Sequence, residues 1–268
     1  MKIQFVIFGA LVLSTAALLP VSAATLMYEN IPAPLPPNVP SLGYQATQTA
    51  EFGDLIQFAP GTPRSLSTVT ALMSDWALAS TYGSSDAGWS VPITLNLYNV
   101  DNSSGTAQPG TVIDSVTQTF LIPWRPEASA GCGTAWLAAD NNCYNGLAFD
   151  VTFDLGNITV PDQLIYGIAY NTQSYGAAPT GQTGPYNSLN FGLSTVAPTT
   201  GSNPLPNAAY WNTQTGSTFR QVSGWSAYSG AVEFASTSAP EPGTVGLMLG
   251  GGLLIMMGSI RRKKQSKQ

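Results

Sequence analysis

From Leu42 onward, short apolar runs recur about every ten residues, punctuated by Gly, Pro, Ser, Thr and Asn, and no 3.6-residue periodicity persists. This is the pattern of antiparallel strands. The sharpest alternation is Val91 to Asn99, where Val91, Ile93, Leu95 and Leu97 share one side and Pro92, Thr94, Asn96 and Tyr98 the other. Asp101 to Gly105 reads as the following turn, and Pro109-Gly110 opens a second run, Val112 to Ile122, predicted to pair with the first. Leu147 to Leu155 sets Leu147, Phe149, Val151, Phe153 and Leu155 against Asp150, Thr152 and Asp154. Leu164 to Tyr170 is apolar on both sides, which predicts a mid-sheet strand between the core and a covering loop. Phe52 to Phe58 and Leu66 to Trp76 supply earlier strands, and Leu189 to Leu193 and Gly230 to Phe234 later ones. About eight to ten strands without a substantial helix predict an all-β fold, an antiparallel β-sandwich or jelly-roll-like body.

The two ends follow different rules. Lys2 precedes an apolar run, Ile3 to Leu19, after which Pro20 and the small residues Val21-Ser22-Ala23-Ala24 complete the three regions of a secretory signal peptide over residues 1–24. Cleavage after Ala23 or after Ala24 fits equally well. Five prolines between Ile31 and Pro40 make residues 25–41 an expected extended leader, with the folded body over 42–236. Residues 237–268 form a tail with an uncharged stretch, Val245 to Ile260, followed by Arg261-Arg262-Lys263-Lys264. As a helix that stretch is about 24 Å long, a marginal span whose basic end stays cytoplasmic by the positive-inside rule.

The Pro240-Glu241-Pro242-Gly243-Thr244 segment, the Gly-rich apolar stretch and the terminal Arg261-Arg262-Lys263 resemble the PEP-CTERM sorting signal of Gram-negative bacteria. The resemblance implies processing near Pro240, Glu241 and Pro242 by an exosortase-type enzyme. It also implies a transient stay in the inner membrane before transfer to the cell surface or extracellular matrix, and association with systems that make exopolysaccharide. It covers residues 240–268 and is silent on the body.

Charge narrows the partners of that body. All four lysines lie in the terminal segments, and between Thr25 and Ala239 only Arg64, Arg125 and Arg220 face thirteen carboxylates. Nucleic acid is therefore not an expected partner, because phosphate neutralisation needs a basic stripe. The chain has no histidine, which excludes Ser-His-Asp and Cys-His nucleophile activation and imidazole metal sites. Its two cysteines, Cys132 and Cys143, lie in a Gly/Ala/Asn-rich stretch of an exported chain and are expected to form a disulfide.

Three constellations carry candidate chemistry. Asp150 and Asp154, with Asn157 at the adjoining turn, offer oxygen ligands of the kind Ca²⁺ uses, against the plainer expectation of a solvated strand face; no other cofactor is implied. A glycosidase would need two facing carboxylates, and Glu51, Glu127 and Glu233 sit in no recognisable catalytic context. The six tryptophans are more suggestive: Trp124-Arg125-Pro126 and Tyr210-Trp211-Asn212 place rings in polar surroundings where they could stack on sugars, so Trp124, Tyr210 and Trp211 are the expected carbohydrate contacts, unless they are core. The absence of histidine and of a nucleophile motif, the acidic body and the tail's resemblance favour a non-enzymatic surface or matrix protein, and its association with exopolysaccharide is what the resemblance implies. A polysaccharide-active enzyme using a carboxylate pair and a self-assembling structural coat protein are the alternatives.

Overall fold

The structure, a computed structural model, describes residues 24–172, 184–213 and 218–237. Of the expected signal segment 1–24 all but Ala24, and of the expected tail 237–268 all but Thr237, including Pro240, Glu241, Pro242, residues 245–260 and Arg261, Arg262 and Lys263, lie outside the described residues; Ala24 and Thr237 belong to paired strands of the body. Among the described residues no helix is long and apolar enough to cross a membrane.

In chain order the strands are β1 (Ala24–Glu29), β2 (Ser41–Gly43), β3 (Thr49–Gln57), β4 (Ser65–Asp75), β5 (Gly88–Asp101), β6 (Gln108–Pro123), β7 (Trp136–Leu137), β8 (Cys143–Tyr144), β9 (Leu147–Thr159), β10 (Gln163–Ala169), β11 (Leu189–Ser194), β12 (Ala208–Thr213), β13 (Arg220–Ser223), β14 (Ser229–Gly230) and β15 (Val232–Thr237). The helices α1 (Tyr44–Thr47) and α2 (Ala79–Tyr82) are single turns. Every strand pairing is antiparallel.

In the first sheet β4 is central, with β9 along one edge and β15, then β11, along the other; β1 pairs β15, and β2 and β14 pair β11. The second sheet runs β13-β12-β3-β10-β5-β6. Their facing sides form one core: Val69, Ala71, Met73, Val151, Phe153 and Phe234 from the first sheet meet Phe52, Ile56, Val91, Ile93, Leu95 and Tyr166 from the second. The alternating residues foreseen in β5 and β9 supply their share, and β5 and β6 form the expected hairpin. At its turn the Asp101 carboxylate accepts the Ser103 N–H, and Gly105 adopts φ +82°, a conformation that costs a side-chain-bearing residue strain.

Both sheets are also covered on their outer sides, which accounts for strands apolar on two faces. On the second sheet Leu55, Ile165, Tyr210 and Phe219 form a small core, over which the hairpin end brings Val100 and Ala107. This confirms β10 as a central strand beneath a cover, with Leu164 to Ile168 wholly buried.

The outer side of the first sheet carries a correction. Residues 25–41 are not a leader outside the fold. β1 pairs β15, and Met27 and Tyr28 are fully buried. The proline-rich stretch lies on the sheet, where Val39 and Ile31 pack against Leu72, Ala148 and Ala231. Proline lacks an N–H but keeps its carbonyl, and the Pro37 and Pro40 carbonyls accept from Ala148 N and Leu193 N at 3.0 and 2.7 Å. The proline-rich stretch, expected as an extended leader, is thus a cover whose carbonyls accept hydrogen bonds from the sheet.

Candidate functional site

The end of the sandwich where β4 stops and β5 starts is built around a buried carboxylate. Asp75, the last residue of β4, is fully buried, with Oδ1 accepting the Ala77 N–H at 3.3 Å and Oδ2 the Trp89 Nε1–H at 3.5 Å. Burial pushes its carboxyl up to about 7, opposed by the Ala77 and Trp89 hydrogen bonds and, more weakly, by the Arg125 charge. Arg125 is itself buried and serves backbone carbonyls: Nε–H donates to Trp76 at 3.2 Å, one Nη to Pro126 at 3.1 Å and the other to Thr134 at 2.9 Å.

Around this pair the chain places aromatic rings. The α2 turn is held at its start by Glu127, which accepts the Ser80 N–H and hydroxyl at 3.1 and 2.9 Å. Its last residue, Tyr82, lies on Trp124 with ring centroids 5.8 Å apart and planes 21° from parallel. Trp124 donates Nε1–H to the Asp86 carbonyl and packs against Trp89 behind it. Trp76 has its main-chain N–H on the Ser188 carbonyl, and Ser188 also faces the Tyr82 phenol, while the Trp76 indole Nε1–H donates to Ser74 Oγ at 3.1 Å, which in turn meets Asn38 of the proline-rich cover. Trp76 and Tyr82 remain 44% and 38% exposed, large apolar faces open to solvent.

The cystine loop completes this end. The Cys132–Cys143 disulfide is formed, with Cα atoms 5.6 Å apart, and β7 and β8 pair beside it. Trp136 Nε1–H donates to the Gly146 carbonyl at 2.9 Å, and the bond from Arg125 to Thr134 fastens the loop to β4. Gly146 has no room for a side chain between Trp76, Ser74 and Asn38, so the loop reaches the Trp76 ring closely.

The sequence-predicted contacts part company here. Trp124 belongs to this aromatic end. Tyr210 does not: it is fully buried on the outer side of the second sheet, its hydroxyl on the Ala107 carbonyl at 2.9 Å. Trp211 is opposite Phe52, packs against the main core and donates Nε1–H to Thr49 Oγ1 at 2.7 Å. β12 and β6 are separated by β3, β10 and β5, about 19 Å of sheet at ordinary strand spacing, so Trp124 and Trp211 share no surface. Alternating positions on one strand face opposite ways, which is why neighbouring Tyr210 and Trp211 enter different cores. Tyr82, which does meet Trp124, and Trp76, which lies at the same end with its indole on Ser74, follow the end of β4; only the Trp124-Arg125-Pro126 triplet signalled this end in the sequence.

The calcium candidate is not assembled. Asp150 and Asp154 are four residues apart along β9, about 13 Å, beyond the reach of one ion. The Asp154 carboxylate accepts the Gly156 N–H, and the Asn157 side-chain oxygen accepts the Ser67 hydroxyl. Among the described residues no group of three or more Asp, Glu, Cys or His could hold a metal. Asp150 instead adds its charge to Glu29 and Glu233, cross-strand neighbours on β1 and β15, and burial together with those charges raises the Glu233 carboxyl.

The remaining buried acids are scattered. Glu51 lies on the outer side of the second sheet, where Asn96 Nδ2 and the Tyr98 hydroxyl both donate to its Oε1 at 2.9 Å; burial raises it against these bonds. Asp54 lies between the sheets, bonded to Leu55 N–H and Asn203 Nδ2 at 2.8 Å each, and burial raises it strongly. Glu51, Asp54 and Asp75 thus occupy three separate environments, each satisfied chiefly by neutral donors. What the aromatic end offers chemically is adsorption onto flat rings. No family model matches this chain, and no curated protein or solved structure is similar to it.

Proposed function

We propose that this chain is an exported, non-enzymatic protein of the cell surface or extracellular matrix, sorted by its PEP-CTERM-like tail, whose β-sandwich body adsorbs exopolysaccharide at the aromatic end. The observation that carries the reading is the exposed Tyr82 ring stacked on Trp124, with a second exposed ring, Trp76, at the same end of the sandwich, on turns fixed by the hydrogen bonds of Arg125 and Glu127. Rings fixed before binding lose little conformational entropy on contact, so their apolar faces are available to the CH faces of a sugar. An acidic surface with three arginines in the body suits an uncharged or weakly charged glycan better than a polyanion.

The test is retention of the secreted chain on exopolysaccharide from its own producer, alongside a Trp76→Ala/Tyr82→Ala variant of unchanged melting temperature. Loss of retention in the variant supports the reading. Equal retention by both forms, or none by either, overturns it, and the second outcome leaves the self-assembling coat as the better description.

A further inference from the structure

A second concavity lies away from the aromatic end. A pocket of about 480 Å³ is enclosed by the segments 194–198 and 201–207 and by the turn 227–229. That volume lies within the usual range for small-ligand sites, about 300 to 1,000 Å³. The longer wall lacks regular secondary structure, yet it is pinned at several points. Thr199 N–H donates to the Glu29 carbonyl at 2.8 Å, and Ser202 and Gln57 exchange two backbone bonds at 2.9 Å. Asn203 reaches inward with Nδ2 to the buried Asp54 carboxylate at 2.8 Å, while its Oδ1 accepts the Leu205 N–H, also at 2.8 Å. From the other wall Ser229 accepts a bond from the fully buried Asn30 at 3.0 Å. The cavity is therefore shaped before anything enters it.

Its chemistry is uniform. None of the lining side chains is charged; hydroxyls and amides from Thr195, Ser202, Asn203 and Asn207 alternate with Pro198 and Pro206. Tyr228 contributes a ring 43% exposed at the rim. An anionic sugar would lose its hydration here without meeting a cation, so it is disfavoured by charge as well as by solvation. A neutral saccharide meets what it needs, one aromatic face and donors and acceptors for hydroxyls.

Position adds a consequence. Trp89 marks the aromatic end of β5, whereas Tyr98, aligned through Ile165 with Leu55, is nine residues farther along the strand, about 30 Å. Gln57, which carries the Ser202 bridge, is two residues beyond Leu55. We infer that the pocket walled by residues 194–207 and Tyr228 is a second glycan site, selective for neutral sugar units, which with the aromatic end makes the body a two-headed cross-linker of polysaccharide. The cross-linking role rests on the proposed function; the pocket's affinity for neutral sugars stands by itself.

Calorimetric titration of the full secreted chain with neutral gluco-, manno- and galacto-hexasaccharides and with hexagalacturonate tests it. At least one neutral hexasaccharide should bind, hexagalacturonate should not, and Tyr228→Ala and Asn207→Ala should each weaken binding about tenfold, roughly 1.4 kcal/mol. Both substitutions are at exposed positions, and unchanged melting curves verify folding. Trp76→Ala/Tyr82→Ala should remove the binding component of the aromatic end, leave the component that Tyr228→Ala and Asn207→Ala weaken, and abolish precipitation of a neutral polysaccharide. No binding by any neutral hexasaccharide, full affinity in both pocket variants, or equal affinity for hexagalacturonate overturns the inference. Loss confined to the Trp76/Tyr82 variant counts against the pocket and leaves the aromatic end standing.

Discussion

Arg125 donates its Nε–H to the carbonyl of Trp76 at 3.2 Å, so the buried guanidinium and the exposed indole are joined through one backbone group. The same side chain holds Thr134 in the cystine loop and lies close enough to lower the Asp75 carboxyl. Arg125→Ala strips three carbonyls of their donor and takes away the positive charge nearest Asp75. Stability should fall by about 2 to 4 kcal/mol in chemical denaturation. Amide exchange in residues 129–145 should accelerate more than in β5 or β10. An Arg125→Ala protein with wild-type stability and protection would show that the loop and the sandwich end hold together without this tie.

Asp75, Asp54 and Glu51 all have carboxyls raised by burial, so the native state binds protons more tightly than the unfolded chain. Their contribution is complete below the unfolded carboxylate range and is lost as pH rises through the folded values; for Asp75 this window runs from 3.8 to about 7. The melting temperature should therefore decline between pH 4 and pH 8. Asp75 alone accounts for up to about 4 kcal/mol of that decline. Asp75→Asn should flatten the slope; a curve as steep as the wild type's would place the titrating group elsewhere.

Reducing the Cys132–Cys143 bridge should release the loop and spare the sandwich. The loop is short and local, so its closure contributes about 2 to 3 kcal/mol, and β7 and β8 pair only with each other. After reduction and alkylation, protection should fall across residues 131–145 while β4 and β9 stay protected. Global unfolding on reduction would mean that the loop supports the core.

The strands were legible because burial imposes a two-residue period: β5 buries Val91, Ile93, Leu95 and Leu97, and β9 buries Val151, Phe153 and Leu155 with Leu147 and Phe149 half-buried on the same side. The disulfide was legible because the two cysteines have only each other to pair with. The residues 25–41 misled, because proline content reports the missing N–H and not whether the carbonyls find donors, as those of Pro37 and Pro40 do. The aromatic end was only partly legible. Trp124 stood in a distinctive triplet, but Tyr82 reaches it, and Trp76 is placed at the same end, through the tertiary bonds of Glu127 and Arg125, which leave no local pattern.

Two glycines should respond very unequally to alanine. A Cβ on Gly53 would fall onto the Tyr166 carbonyl of the neighbouring strand, and backbone inside a sheet cannot move aside. Gly53→Ala should therefore cost at least about 3 kcal/mol or prevent folding. Gly61 has φ +77° but nothing within 4 Å of the added carbon, so Gly61→Ala should cost only about 1 kcal/mol. Similar losses at both positions would contradict the close β3–β10 approach at Gly53.

The aromatic residues separate binding from packing when substituted one at a time. Tyr82→Ala and Trp76→Ala remove rings that are 38% and 44% exposed, so each should keep the melting temperature within a few degrees while lowering retention on exopolysaccharide. Trp211→Ala removes a ring that packs on the main core opposite Phe52 and also deprives Thr49 of its indole donor. It should cost about 2 to 4 kcal/mol and leave retention of the folded fraction intact. Tyr210→Phe is the finer control, deleting the hydroxyl bonded to Ala107 beneath the β5–β6 hairpin end without changing the ring. It should cost about 1 kcal/mol and leave retention unchanged. Trp124→Ala falls between the two groups, because its ring supports Tyr82 on one side and meets Trp89 on the other; stability and retention should both fall. A reversed ranking, with Trp211→Ala stable and deficient in retention and Tyr82→Ala unstable and retained, would move the adsorbing surface to the opposite edge of the second sheet.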